Sequence, residues 1–479
     1  MAKKHISLAQ AFLPIAVLIP LLAINVVVFG DNSLGGANQF VLLTAAAVGV
    51  VIGIRLNIPY HRIFDKVASS ISSTSSAMLI LLMIGALSGT WLISGIIPAL
   101  IVYGLKILNP TIFLAATTLI CAVISVASGS SWSTIATIGI ALLGVGSALG
   151  FSEAITAGAI ISGAYFGDKM SPLSDTTNLA AAMANTDLFT HIRYMALTTV
   201  PSFGINILIF AVIGLFYDPS QSEIQIGELI TAVESSFNIT PLLFVVPAVV
   251  IFMIIKKVKP LPVLFIGSLL GGIFALVFQP QIIEQLAPKS NSYVEASYIT
   301  IIDALTTNVS IETGNAAITD LLSSGGMKGM LNTIWLILCA MTLGGVLDAI
   351  GSLQKISASL LDGVKSNGGL FMRTVASCLF VNVTASDQYL AIVIPGKMYE
   401  EAYRNRKLAP ENLSRTLEDS GTVTSVLIPW NTCGATQSTV LGVATLAYLP
   451  FCFFNYLSPL MTLFFAYFDI KIRKVSSSK

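Results

Sequence analysis

The sequence predicts an all-α polytopic membrane protein whose two halves, 1–237 and 238–479, repeat each other with inverted topology. Three observations carry that expectation. Hydrophobic residues make up 55% and charged residues 10% of the 479-residue chain, and mean hydropathy is +0.84. Apolar runs of about 17–25 residues recur along it, the length a helix needs to cross the hydrocarbon of a bilayer. Short polar breaks, two of them bearing a proline, interrupt these runs at corresponding places in the two halves.

The runs place helices near 11–29, 38–55, 76–105, 111–127, 131–149, 154–180, 194–217, 240–255, 260–279, 331–361, 370–384, 387–399, 412–434 and 439–469. The opening stretch MAKKHISLAQAFLPIAVLIPLLAINVVVF has a basic start like a signal peptide, but its length and the spans that follow make it the first transmembrane helix. The paired runs 111–149 and 370–399 each read either as two full crossings or as one re-entrant hairpin, and both versions return the chain to the side it left.

Loop charge sets the orientation. Lys3 and Lys4, Arg55, Arg62 and Lys66, Arg193, Lys256, Lys257 and Lys259, Arg404, Arg406 and Lys407, and finally Lys471, Arg473 and Lys474 all fall on one side. By the positive-inside rule that side is the cytoplasm, so the chain is a multi-pass protein of the cytoplasmic membrane with both termini cytoplasmic. The alternate loops carry Asp31, Glu153, Asp218, Glu223, Glu228, Glu234, Asp303, Glu312 and Asp320 with few basic residues.

The halves align at an offset of about 256 residues. MIGALSGTWLISG matches CAMTLGGVLDAIG, pairing Leu87 with Leu343, Gly89 with Gly345 and Gly95 with Gly351. VASGSSWSTIATI matches VTASDQYLAIVIP, and FGDKMSPLSDTTN matches VTSVLIPWNTCGA, where Pro172 meets Pro429. Equivalent loops carry opposite charge: residues 55–66 sum to +2 (Arg55, Arg62 and Lys66 against Asp65), and 303–328 sum to −2 (Asp303, Glu312 and Asp320 against Lys328). A sign flip between matching loops is what an inverted repeat requires, and such repeats mark secondary transporters whose sites form where helices break near the midplane.

FGDKMSPLSDTTN (166–178) is the most informative break. Pro172 donates no backbone hydrogen bond and disfavours helical geometry at Ser171, so the helix entering from residue 154 unwinds there. Asp168 and Asp175 then supply carboxylates, and Ser171, Ser174, Thr176, Thr177 and Asn178 supply neutral oxygens, a set suited to a hard cation such as Na⁺, with Asp168 and Asp175 as its charged ligands. The bland reading makes the segment a surface loop with Lys169 solvated. The matching break SVLIPWNTCGATQS offers Asn431 and Thr432 without a carboxylate. The clusters SGSSWS (128–133) and TASDQY (384–389) centre the paired runs; as re-entrant tips they place Ser130, Ser131 and Asp387 at the ligand, and as ordinary turns they lie in water. Lys169 reads either as a salt-bridge partner of Asp168 or as a vestibule residue. Asp348 reads as an ion ligand or a helix-end residue, Glu418 and Asp419 as caps of the second broken helix rather than cavity residues, and Glu312 as an external surface residue. Trp132, Trp335 and Trp430 carry no chemistry.

Several classes are excluded. A net charge of +1 argues against nucleic acid or an acidic macromolecule as partner. The five cysteines lie in apolar surroundings without a CxxC pair, and the three histidines lack zinc-ligand spacing, so neither disulfides nor a resident metal or cofactor are expected. No nucleophile–base pair or phosphate loop points to an enzyme.

At FGDKMSPLSDTTNLAAA, with SGSSWSTIATIGIALLGVG before it and TGNAAITDLLSSGGM after it, the chain resembles the NhaC family of sodium/proton antiporters over nearly its full length. The resemblance implies the ion-transporter fold of two inverted repeats, each with a re-entrant hairpin and a discontinuous helix. It implies Na⁺ and H⁺ as transported substrates, membrane lipid as surroundings and a homodimer as candidate assembly. The same family includes sodium-coupled exchangers of organic acids, such as malate against lactate, so organic acids or amino acids are the alternative substrates. One carboxylate, Asp168 or Asp175, serves both ions if Na⁺ favours its charged form and a proton removes that form. Bare aspartate titrates near about 3.9, so such coupling requires a setting unlike bulk water.

Overall fold

Helix starts in this chain are written locally. Asn109, Ser130, Ser152, Ser174, Asp187, Ser366, Asp387 and Asn431 each precede a helix and accept a hydrogen bond from a backbone N–H two or three positions on. Each such oxygen satisfies a donor that a helix start leaves open, which matters most where no water is at hand. The computed structural model describes residues 6–29, 35–107, 109–217, 222–256, 258–312, 319, 322–361 and 366–475. Lys3, Lys4, Asp31, Asp218, Lys257 and Asp320 of the charge reading, and most of TGNAAITDLL, lie outside the described residues.

Among the described residues eight helices are long and apolar enough to cross a membrane, and ten spans result if each of two sharply bent helix pairs counts as one. The expected all-α membrane architecture is therefore present, with one small exception. Val309–Ser310 pairs antiparallel with Ser323–Ser324, Val309 opposite Ser324.

Two runs read as continuous are interrupted at matched glycines. The run 76–105 divides into Ser75–Ile93 and Ile96–Ile107 at Gly95, and 331–361 divides into Leu331–Ala349 and Ser352–Leu361 at Gly351. Gly95 and Gly351 have φ of +78° and +76°, the left-handed region open to glycine without penalty. The expected helix 439–469 likewise bends by 56° between Thr445–Phe451 and Phe453–Tyr467.

Residues treated as external loop also coil: Ser222–Ser236, Pro280–Leu286 and Tyr293–Thr306 are helices that a search for long apolar runs passes over. Asp348 is a helix-end residue, paired with Lys66 at 2.8 Å and accepting from the Gln354 amide at 2.6 Å.

One contact positions everything that follows. Pro110–Ser128 and Glu153–Met170 lie backbone against backbone, because a Cβ on Gly163 would stand 2.2 Å from the Thr118 carbonyl oxygen and one on Gly167 2.4 Å from that of Ala122. These glycines form a small-xxx-small pair, the means by which helices in lipid approach closely enough for dispersion and hydrogen bonds to hold them. Ser125 Oγ donates to the Ala164 carbonyl at 2.6 Å and Thr118 Oγ1 to that of Ala159 at 3.2 Å, sealing the seam.

Candidate functional site

The first break behaves as its proline requires. Helix Glu153–Met170 stops one residue before Ser171, whose backbone is extended (φ −85°, ψ 130°), and the chain resumes helix at Asp175–Met183. Ser171 Oγ donates to the Val126 carbonyl at 2.8 Å, stitching the break to the first hairpin just before its tip. Gly129, with φ +69°, makes the tip turn against Leu173, where a Cβ would meet the Leu173 backbone at 2.7 Å. The next helix begins at Ser131, and its backbone N–H (3.0 Å) and Oγ (2.7 Å) both donate to Asp168 Oδ2. Asp168 and Ser131 are 8% and 1% exposed, so the tip is inside the protein and not a turn in water.

The second break repeats the arrangement with different side chains. Pro410–Leu417 runs into a wide turn at Glu418–Thr422, then a tight one at Ser425–Leu427, and helix resumes at Thr432–Leu441. The second hairpin, Asn367–Thr384 and Gln388–Asn405, turns at Ser386 with φ +59°. Its tip is tied to the break by Thr432 N–H to the Ser386 carbonyl (2.9 Å), Trp430 Nε1 to the Val383 carbonyl (2.7 Å) and Asn431 Nδ2 to the Asn382 carbonyl (3.1 Å).

The two breaks then meet each other. Thr176 Oγ1 donates to Glu418 Oε1 at 3.1 Å, and the Ser174 and Thr176 hydroxyls lie 3.0 Å apart. Next to Glu418 in the chain, Asp419 forms an ion pair with Lys169, which follows Asp168, and both side chains are wholly buried. Lys169 also donates to Ser458 Oγ (2.7 Å), and Asp419 accepts from Thr198 Oγ1 (2.9 Å) and Thr462 Oγ1. Lys169 is thus neither a partner of Asp168 nor a vestibule residue. Glu418 and Asp419 do not cap its start either, since Pro410–Leu417 starts after Ala409 without a side-chain cap and both acids directly follow its last residue, fully buried.

The expected site residues divide into three groups. Asp168, Ser131, Ser174 and Thr176 converge, with Ser171 anchoring the break. Ser130, Asp387 and Asn431 commit a side-chain oxygen to a helix start: Ser130 Oγ accepts from Ser133 N–H (3.2 Å), Asp387 Oδ1 from Leu390 N–H (2.8 Å) and Asn431 Oδ1 from Cys433 N–H (3.0 Å). Thr432 Oγ1 faces Asn431 Oδ1 at 3.4 Å. Asp175 and Asn178 are exposed, and the Asn178 amide closes the turn on the Pro172 (3.0 Å) and Ser174 (2.8 Å) carbonyls.

Residues missed or undervalued cluster on the second broken helix and its neighbours: Glu418, Asp419, Thr198, Ser458, Thr462, and Arg415. Arg415 is fully buried, its guanidinium 4.5 Å from the Tyr194 ring centroid, with no hydrogen-bond partner for its nitrogens among the described residues. The available signal was density: RTLED puts three charges into five positions of a chain in which 10% of residues are charged. Among the described residues no three His, Cys, Asp or Glu side chains group as metal ligands. The site combines carboxylates with hydroxyls, hard oxygen donors of the kind that suit hard cations.

A helical membrane protein with two interrupted helices whose polar breaks meet in its interior is built as a transporter. The chain belongs to the Na⁺/H⁺ antiporter family, whose model matches residues 163–470, and it is accordingly a transporter and not an enzyme. It is 39% identical over 436 residues to the Na⁺/H⁺ antiporter NhaC of Alkalihalophilus pseudofirmus, covering 91% of each chain. It is 34% identical over 432 residues (90% of this chain, 89% of the relative) to the malate-2H⁺/Na⁺-lactate antiporter of Bacillus subtilis. Over 463 residues (96% and 91%) it is 34% identical to the arginine/ornithine antiporter ArcD of Halobacterium salinarum.

Proposed function

We propose that the protein exchanges Na⁺ for H⁺ across the cytoplasmic membrane by alternating access, with Asp168 as the exchanged carboxylate. The supporting observation is the position of Asp168: buried at the first helix break, it takes two hydrogen bonds from Ser131 at a hairpin tip, with the Ser174 and Thr176 hydroxyls alongside. Na⁺ stabilises the ionised carboxylate and a proton abolishes it, so one site serves both ions in turn. Asp175, at the mouth of the break and exposed, attracts the cation and adds a ligand when the break closes. The halves 1–237 and 238–479 are inverted repeats, their hairpins re-entrant and their tips the moving gates. The matched glycine breaks and the same order of hairpin and broken helix support that reading, and loop charge supports cytoplasmic termini.

A second reading, sodium-coupled exchange of organic acids or amino acids, has one observation in its favour: the substrates named for two relatives, each 34% identical. Against it, Lys169 is committed to Asp419. Purified protein in vesicles carrying a pH dye separates the two. Na⁺ or Li⁺ alone collapsing an imposed proton gradient supports cation/proton exchange. A response that requires malate, lactate, arginine or ornithine overturns it.

A further inference from the structure

We infer that Arg415 is an anion-binding residue that takes the carboxylate of a small monocarboxylic acid, admitted from the cytoplasm when the strap 471–475 lifts off the second broken helix. The inference goes beyond the Na⁺/H⁺ reading and does not depend on it.

Arg415 is wholly inaccessible, and among the described residues neither Nε nor either Nη has a hydrogen-bond partner. Its guanidinium lies 4.5 Å from the Tyr194 ring centroid and 6.0 Å from those of Phe371 and Phe465. Ring faces attract the cation, but they leave its in-plane N–H donors without acceptors. Glu411 and Asp419, four residues to either side on the same stretch, are already paired with Arg473 and Lys169. A charge buried with neither a counter-ion nor hydrogen bonds is among the costliest groups a fold carries, so the acceptor missing here comes from outside the chain. The guanidinium fork matches the two oxygens of a carboxylate. One buried cation balances one negative charge, so a monocarboxylate fits where a phosphate or sulfate dianion leaves charge in excess, and the three rings offer apolar walls to its carbon body.

The way in is closed by the chain that follows the last helix. Arg415 lies in Pro410–Leu417, about 7.5 Å along the axis from its first residue, and the strap crosses that helix start. Val475 N–H donates to the Lys407 carbonyl (2.9 Å), Ala409 N–H to the Arg473 carbonyl (3.0 Å), and Leu408 bridges Lys474 in antiparallel fashion. Asn412 Nδ2 donates to the Arg473 carbonyl (2.7 Å), and Arg473 pairs with Glu411 at 3.1 Å. Tyr194 Oη donates to the Lys471 carbonyl at 2.9 Å, so the ring nearest Arg415 is itself tied to the strap. Residues 407–411 and 471–475 carry Lys407, Lys471, Arg473 and Lys474 against Glu411, four positive charges to one negative, which draws anions to this mouth. Lifting the strap releases Tyr194 and uncovers the helix start, and the arriving carboxylate supplies the acceptor that Arg415 lacks.

The test uses full-length protein in detergent without sodium, titrated calorimetrically with potassium propionate, while trypsin cleavage after Lys471, Arg473 and Lys474 is followed by mass spectrometry. Wild type is expected to bind propionate and to be cut faster in its presence, because the bound anion holds the strap open. Arg415→Gln is expected to weaken binding by about tenfold or more, the loss of a charge-assisted pair, and to cancel the effect on cleavage. Arg415→Lys, which keeps the charge without the fork, is expected to fall between the two. Glu411→Gln, which loosens the latch and leaves Arg415 in place, is expected to tighten propionate binding and to speed cleavage without any ligand. Wild type that neither binds propionate nor changes its cleavage overturns the inference, whatever the variants do. So does Arg415→Gln with wild-type propionate affinity, or a response that chloride, phosphate or sulfate at equal ionic strength reproduces. With no sodium present, none of these outcomes bears on the Na⁺/H⁺ reading, which the vesicle assay decides separately.

Discussion

Lys169 and Asp419, separated by 250 positions in the chain, form an ion pair in which neither side chain is accessible to solvent. It joins the helix on the near side of the first break to the turn that opens the second. Removing one member of such a pair leaves a buried charge without its partner, at a cost of about 3–5 kcal/mol, whereas replacing both with apolar residues of similar volume is often neutral. Lys169→Met and Asp419→Leu are each expected to lower the melting temperature in nanodiscs sharply, and the double variant to melt above both. A double variant that melts below both would show that the pair's worth is not electrostatic.

Asp168→Asn is expected to abolish sodium-driven proton movement in vesicles, and Ser131→Ala to weaken it. The alanine variant loses the 2.7 Å hydroxyl bond to Asp168 but keeps the backbone one at 3.0 Å. A hydrogen bond to a charged group contributes about 1.5–3 kcal/mol, so the half-saturating Na⁺ concentration should rise by roughly tenfold or more, and Ser131→Thr should recover most of it. Wild-type kinetics in Asp168→Asn would remove Asp168 from the site.

Gly167 fixes how closely the first hairpin lies against the broken helix. A methyl there would stand 2.4 Å from the Ala122 carbonyl oxygen and 2.5 Å from Ser125 Cβ. Gly167→Ala should therefore pry the hairpin away, costing about 1–3 kcal/mol of stability as overpacking does, and move Ser131 off Asp168. Paired measurements of melting temperature and Na⁺ affinity check it. Gly204, with open space around its Cβ position, is the control, and Gly204→Ala should change neither.

Asp187 gives a pH test outside the membrane spans. It caps Leu188–Leu215, accepting from Thr190 N–H at 2.9 Å and Oγ1 at 3.1 Å, and these bonds hold its carboxyl below the ordinary aspartate range. A lowered folded-state value means the cap stabilises above the unfolded-state value and is lost as pH falls through the folded one. The melting-temperature gap between wild type and Asp187→Ala should be present at pH 7 and close as pH drops below about 4, near the value for free aspartate. A gap that is constant to pH 3 would mean the carboxylate charge contributes nothing to the cap.

The first break was the easiest feature to read, because in FGDKMSPLSDTTN a proline that disfavours helix at Ser171 coincides with a run of polar residues and two carboxylates. The hairpin tips were legible as polar clusters, but not the division of labour within them. Ser130 and Asp387 look in sequence like ligands equal to Ser131, yet as the residues before helix starts they turn their oxygens to their own backbone. Glu418 and Asp419 were undervalued for the converse reason: two acids near a helix start look like caps until the structure places that start at Pro410, a full two turns earlier.

Composition and local pattern determined that this chain lives in a bilayer, and that one break joins a helix stop to a cluster of oxygen-bearing side chains, because span length, proline geometry and N-capping act over a few residues. Only the tertiary structure decided that Lys169 answers to Asp419 and Thr176 to Glu418. Those partners lie 250 and 242 positions away, and a charge buried without water is assigned its partner by whichever backbone packs against it.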